Sequence, residues 1–425
     1  MSLQNSYEIT YFRLLKQMIM KSFLCFIFIM MSISSFAKAK MKTGMWQGEL
    51  AMNDRLSIPF QLMVENAGKK IYVVNDLEQI LMISHTKKDS MYLNFPIQDA
   101  EVIFKLEKNG ESARGYWVNY NKKVLQKIPL TLTWNVSNRF PNMHPTKPIE
   151  SLFDGTWEVT FQPGTKDEEK AIGVFKAGKN TEIAGTFLTE TGDYRFLAGN
   201  RTGNSFSLST FNGSWAMMFE AELFGDTLKG TFYSGISYST DWMAIRNPAA
   251  KLRNEASLTY VVNDKKLNTA GMTQLNGSAF SLKGYSGKVV VFQIMGTWCP
   301  NCLDEVQFME KLYQEYRNSG LEIIALAYEV GSNAKEQRKK LTAFKKRIGM
   351  TYELVLAGSS SKDIAAAQFP MLNGIMSFPT TVIIGKDGKV LSVHTGYSGP
   401  ATGMAHKELT DKIQLEIEMA LDLLK

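Results

Sequence analysis

Residues Lys288 to Met295 form a near-continuous apolar run, and four residues later the chain carries Cys299-Pro300-Asn301-Cys302 at the start of an amphipathic segment, Pro300 to Arg317. Such a run reads as a strand covered on both faces, which requires a sheet with helices on either side. The segment after it places Val306, Met309, Leu312, Tyr313 and Tyr316 on one helical face. A cysteine pair is therefore held where a buried strand hands over to a helix. Leu321 to Tyr328 repeats the buried-strand pattern, Ala334 to Ile348 a helix, Tyr352 to Leu356 a further strand and Lys362 to Phe369 a short helix. Thr380 to Ile384 and Val390 to His394 flank Asp387-Gly388, a hairpin signal, and Glu408 to Leu424 closes the region as an amphipathic helix.

The sequence holds three cysteines in 425 residues, and the third, Cys25, lies in the apolar run Phe23 to Ile33. Two cysteines three apart close a very small ring, which restrains the unfolded chain little, so the pair reads as a redox couple rather than a brace. Zinc asks for four ligands, and His85, His144, His394 and His406 are scattered without ligand spacing. No metal and no other cofactor is expected. The apolar run is short for a membrane span; with Lys21 before it and Ala37-Lys38-Ala39 after it, it has the form of a secretory leader ending near residue 39. An uncleaved leader would be the one route to membrane contact. The formal charge is +7, of which the leader supplies +3 through Arg13, Lys16, Lys21 and Lys38 against Glu8. No basic run of the kind nucleic acid requires remains.

Organisation changes near residue 250. Residues 40–246 read as short alternating strands rich in aromatic and β-branched residues, cut by Asn, Asp and Gly, hence an all-β domain, a sandwich or a lipocalin-like barrel. Gly44-Met45-Trp46 and Gly155-Thr156-Trp157 open two halves, divided near 137–153 by Pro141, Pro145 and Pro148. The aromatic residues are expected to fill the interior rather than to line a ligand cavity, and Glu190 to Arg195 reads as a polar turn. Residues 247–257 form a linker, and residues 258–425 the α/β domain.

From about residue 258 onward the chain resembles the TlpA/ResA-like group of exported thiol-disulfide reductases, of thioredoxin fold. The resemblance rests on Trp298-Cys299-Pro300-Asn301-Cys302, on Ser377-Phe378-Pro379-Thr380, and on the extra strand and helix between Tyr352 and Phe369. The helix start favours an anion at Cys299, making it the attacking sulfur. Cys302 then resolves the mixed disulfide. Glu305, three residues further on, is the acceptor for the Cys302 proton that the resemblance implies, against the alternative of a solvated helix-start carboxylate; its neighbour Asp304 is expected to face solvent. Thioredoxins place a buried aspartate where this chain has Gln293. The resemblance also implies a cis bond before Pro379, and a substrate groove formed by Trp298, Pro300, Asn301, Phe378, Pro379 and Tyr397. The partners it implies are exported proteins with disulfides, including c-type cytochrome precursors, and a membrane thiol electron donor, at the periplasm or the outer face of the inner membrane. Three other readings stand beside the reductase: an oxidase or isomerase using the same pair, a peroxidase, and a β domain that binds a ligand or partner with the redox module as accessory. The peroxidase pattern Pro-x-x-x-Thr-x-x-Cys is absent, since Phe292 and Gly296 hold the positions before Cys299.

Overall fold

The computed structural model describes residues 40–121, 125–143 and 152–423. The expected leader with Cys25, as well as His144, Pro145 and Pro148, lies outside the described residues. Among the described residues no helix is long and apolar enough to cross a membrane.

The N-terminal half contains β1 (Gly44–Ala51), β2 (Ser57–Glu65), β3 (Lys70–Asn75), β4 (Glu78–Leu81), β5 (Ile83–Lys87), β6 (Ser90–Asn94), β7 (Ala100–Leu106), β8 (Ser112–Asn119) and β9 (Gln126–Trp134). They form one antiparallel sheet in the order β4-β3-β2-β1-β9-β8-β7-β6-β5. Its two end strands are neighbours in sequence, separated by Met82 alone, so the sheet must curl round to bring its edges together. Met82 N–H donates to Ile71 O at 2.8 Å at that seam. Trp46, Phe60, Leu62, Val102, Phe104 and Trp117 are buried inside.

The second half contains β10 (Gly155–Phe161), β11 (Glu169–Ala177), β12 (Glu182–Thr189), β13 (Gly192–Asp193), β14 (Leu197–Thr202), β15 (Ser205–Phe211), β16 (Ala216–Phe224), β17 (Thr227–Ser234) and β18 (Tyr238–Arg246). Pairing of β11 with β12 closes eight of these into a ring. Each half is thus one antiparallel sheet rather than two facing sheets. Closure removes the exposed sheet edges and leaves an interior that aromatic rings fill. Phe219 stacks between Phe187 and Phe232, with centroids at 4.5 and 4.3 Å, while Trp242 meets Phe187 edge-on at 5.2 Å.

The two halves share side chains. Phe211, at the end of β15, packs on Phe60, Phe95 and Trp117 of the first sheet at 4.8–5.3 Å between centroids. Arg139, just before the proline segment, is 2% exposed. Its guanidinium donates to Val74 O and Asn75 Oδ1 on one side and to Ser209 O and Oγ on the other. The start of the proline-bearing divide is therefore a clamp between the sheets.

The third sheet runs β19-β22-β21-β20-β23-β24, with β19 (Thr273–Gln274), β20 (Val289–Met295), β21 (Leu321–Glu329), β22 (Glu353–Ser359), β23 (Thr380–Ile384) and β24 (Val390–Thr395). β20, β21 and β22 are parallel, as crossover through α1 (Pro300–Tyr316) and α2 (Ala334–Ile348) requires; α3 (Lys362–Gln368) and α4 (Met404–Ala420) complete it. All seven residues of β20 are buried, Gln293 among them. Apolar clusters lie on both faces, one around Val291, Met309 and Leu312, the other around Phe292, Ile324 and Phe369. The connecting segment is docked: Glu255 lies with Lys412 and with the buried His394, whose other ring nitrogen is 2.7 Å from Glu416.

Candidate active site

β20 ends at Met295, and three residues, Gly296 to Trp298, carry the chain to the cap of α1. Cys299 is the N-cap of that helix: its backbone is extended and its Sγ accepts the Cys302 N–H at 3.3 Å. Pro300 takes the first helical position, where a missing N–H costs no hydrogen bond. The turn is held from β21. The buried carboxylate of Glu329 accepts from Thr297 N and Oγ1, both at 2.8 Å, and Trp298 Nε1 donates to Tyr328 O at 2.9 Å. A Cβ on Gly296 would lie 2.3 Å from Trp298 Nε1, so the indole's position depends on that glycine.

Both cysteines are free thiols in this structure. Cys302 is wholly buried and Cys299 is 6% exposed. Burial pushes the Cys302 thiol well up, and the neighbouring Cys299 adds to the shift. Cys299 Sγ also points at Phe378 O, 3.4 Å away, and the Phe378–Pro379 bond is cis. The Trp298 ring meets Phe378 edge-on at 5.6 Å.

Glu305 lies one turn beyond Cys302 and has no exposed surface, so it is not a solvated helix-start carboxylate. Gln293 Nε2 donates to one oxygen at 2.8 Å and Thr381 Oγ1 to the other at 2.7 Å. Tyr352 OH in turn donates to Gln293 Oε1 at 2.9 Å, which orients the amide. Burial raises the Glu305 carboxyl to about 7; the two hydrogen bonds and the charge of His394 offset only part of that effect. A carboxyl so placed can exchange a proton near neutral pH.

Two expectations need correction. Asp304 does not face solvent: its side chain is 9% exposed and forms an ion pair with Arg195, which also pairs with Glu78. Burial alone would lower the Arg195 pKa, but the two carboxylates outweigh it and hold it raised. Nor does Tyr397 face an open groove, being 1% exposed. The reason for both is the segment Glu190 to Arg195, read from sequence as a turn, which lies against the cysteine-bearing loop. Asn301 Nδ2 donates to Asp193 O at 3.2 Å and to Tyr397 O at 3.1 Å. Ser377 Oγ donates to Thr191 O at 2.8 Å, Gly399 N to Asp193 Oδ2, and Arg195 to Pro300 O at 3.0 Å. Cys299, Trp298, Phe378 and Pro379 are thus brought together on one side, and Asn301 and Tyr397 on the other, under the β domain.

Sequence reasoning missed Gln293 and Thr381 as partners of Glu305, Glu329 beneath the turn, and Asp193 with Arg195. For Gln293 a signal existed, since a lone amide in a fully apolar strand must find a partner. For Arg195 there was none.

Residues 262–410 match the Redoxin family. The chain is 31% identical over 162 residues to the thiol-disulfide oxidoreductase ResA of Halalkalibacterium halodurans, covering 38% of this chain and 78% of that protein. It is 33% identical over 127 residues to ResA of Geobacillus thermodenitrificans, covering 29% and 64% respectively. To the thioredoxin-like protein YneN of Bacillus subtilis it is 30% identical over 142 residues, 33% of this chain and 73% of that one. Among solved structures it is similar to a putative protein disulfide isomerase of Bacteroides thetaiotaomicron, with a TM-score of 0.28 and 24% identity over 37% of this chain and 91% of that one.

Proposed function

Since the chain belongs to the ResA family of thiol-disulfide oxidoreductases, we propose that it works as an exported reductase of protein disulfides, with Cys299 as nucleophile, Cys302 as resolving thiol and Glu305 as proton acceptor. The Cys299 thiolate attacks one sulfur of a partner disulfide; that S–S bond breaks, and the leaving sulfur takes up a proton. Cys302 gives its proton to Glu305 and attacks Cys299 Sγ. The mixed disulfide breaks, the partner leaves as its second thiol, and two electrons have passed from the dithiol to the partner. A membrane thiol donor resets the pair by the same exchange in reverse.

The observation that carries this reading is the buried Glu305, one turn beyond a fully buried Cys302, with its carboxyl raised to about 7. A resolving thiol pushed well up by burial needs such a base. The reductive direction is supported by Asn301, whose amide carries no charge to stabilise a thiolate and is engaged by Asp193 O and Tyr397 O. We assign the leader to residues 1–39, the β domain to 40–246 with halves meeting near 137–153, the linker to 247–257 and the redox domain to 258–425, and place the protein at the periplasm or the outer face of the inner membrane. The test is the reduction potential of the Cys299–Cys302 pair in glutathione or dithiothreitol buffers. A value near about −270 mV supports the reductase, and one near about −120 mV makes the protein an oxidase.

A further inference from the structure

We propose that the β12–β13 tip, Thr189 to Arg195, is a specificity-determining wall of the dithiol site. In this reading it closes the site to disulfides in globular surfaces and leaves it open to a cystine on a thin, extended segment with apolar flanks. This inference rests on the reductase reading above and names its substrate class.

The tip is a fitted part of the site. Its main-chain oxygens at Thr191 and Asp193 are taken by Ser377 Oγ and Asn301 Nδ2, that is, by the loop before Pro379 and by the dipeptide between the cysteines. A Cβ on Gly396 would stand 2.5 Å from Thr191 C, and one on Gly192 would stand 2.8 Å from Asn301 Nδ2, so both glycines are what permit the approach. Arg195 fixes the tip to the redox domain through Asp304 and Pro300 O, and to the first sheet through Glu78. Arg253 of the connecting segment holds Glu190. Three parts of the chain thus converge to hold one turn over one side of the cysteine loop.

What remains beside Cys299 is the opposite side, formed by the half-buried rings of Trp298 and Phe378, with the exposed Met376 two residues before Phe378. With Cys299 6% exposed and the tip seated on the other side of its loop, a sulfur on a broad convex surface is expected to approach poorly. An extended segment brings its sulfur in edge-on, and the aromatic and thioether rim favours apolar residues beside it.

The test uses the mature protein, fully reduced, in single-turnover oxidation by three disulfides: a bis-nitrobenzoate dye, an extended peptide with leucines beside its cystine, and native insulin. Wild type is expected to react with the peptide about tenfold faster than with insulin, a barrier difference of about 1.4 kcal/mol. Arg195→Ala, and separately Glu78→Gln, which loosens Arg195 without touching the redox domain, are expected to shrink that ratio about threefold or more, with the dye rate in Glu78→Gln within about twofold of wild type. A wild-type ratio near one overturns the inference, as does an unchanged ratio in Glu78→Gln, whatever happens to the folding of Arg195→Ala. If neither dye nor peptide oxidises the wild-type dithiol, it is the reductase reading that falls.

Discussion

Glu305→Gln is the perturbation that separates the proton-handling role of this residue from a packing role, because it keeps shape and removes only the titration. In the folded chain burial raises the carboxyl from its ordinary 4.5 to about 7. The folded state therefore binds more protons than the unfolded state between about pH 4.5 and 7, and stability falls as pH rises through that window and stays lowered above it. At about 1.36 kcal/mol per pKa unit, the full loss is about 3 kcal/mol. Glutamine loses nothing in that window, and the Gln293 and Thr381 groups around it can each turn to accept as well as donate. The variant is thus expected to gain about 3 kcal/mol over wild type between pH 4 and pH 8, while resolution of a mixed disulfide slows about a hundredfold. Hydrogen exchange of the β20 amides, corrected for the intrinsic pH dependence of exchange, reads the opening of this sheet apart from the β domain. A wild-type-to-variant difference that is the same at both pH values would refute the reasoning, because the carboxyl would then ionise alike in both states.

Other consequences are as direct. Cys302→Ala leaves the mixed disulfide on Cys299 without its resolving sulfur, so partners are expected as covalent adducts on non-reducing gels; recovery of none from extracts that contain oxidised proteins counts against protein substrates. Burial would lower the His394 pKa, but hydrogen bonds to Glu255 and Glu416 outweigh it and hold it at about 9, so its contribution to stability is full below about 6.5 and is lost as pH rises through about 9. Amide exchange around Glu255 is expected to quicken above that pH in wild type and at neutral pH in His394→Gln. Phe219→Ala removes the middle ring of the Phe187–Phe219–Phe232 stack and is expected to cost about 3–5 kcal/mol in urea unfolding of the β domain.

How much of this was legible in the sequence depended on the range of the interaction. The buried parallel strands announced themselves because a strand covered on both faces has no polar side, and the hairpin before β24 because Asp387-Gly388 suits a tight turn. Glu305 was legible because helical spacing places it one turn beyond Cys302. The closing of the second ring was not, since it needs β10 beside β18, the first and last strands of that half, and alternation says which face is buried but not which strand lies alongside. Asp304 was assigned to solvent as the neighbour of Glu305, since a helix that turns one of two adjacent carboxylates inward turns the other away. Its partner Arg195 lies 109 positions earlier, and nothing in local chemistry marks a turn residue for that contact. Separations of 186 positions between Thr191 and Ser377, and of 108 between Asp193 and Asn301, hid the docking of that turn in the same way.

The buried guanidinium of Arg139 has a consequence for the order in which the molecule is made. Half of its acceptors, Ser209 O and Oγ, are encoded 70 residues downstream, and Phe211, which covers Phe60, Phe95 and Trp117, comes later still. At roughly 5–20 residues per second a ribosome needs about 4–14 s to cover that distance. Until Ser209 and Phe211 are present, the guanidinium has only Val74 O and Asn75 Oδ1 as acceptors, and the rings of Phe60, Phe95 and Trp117 lack their cover. The two halves of the β domain thus complete each other's burial, and the order of synthesis leaves the first waiting on the second.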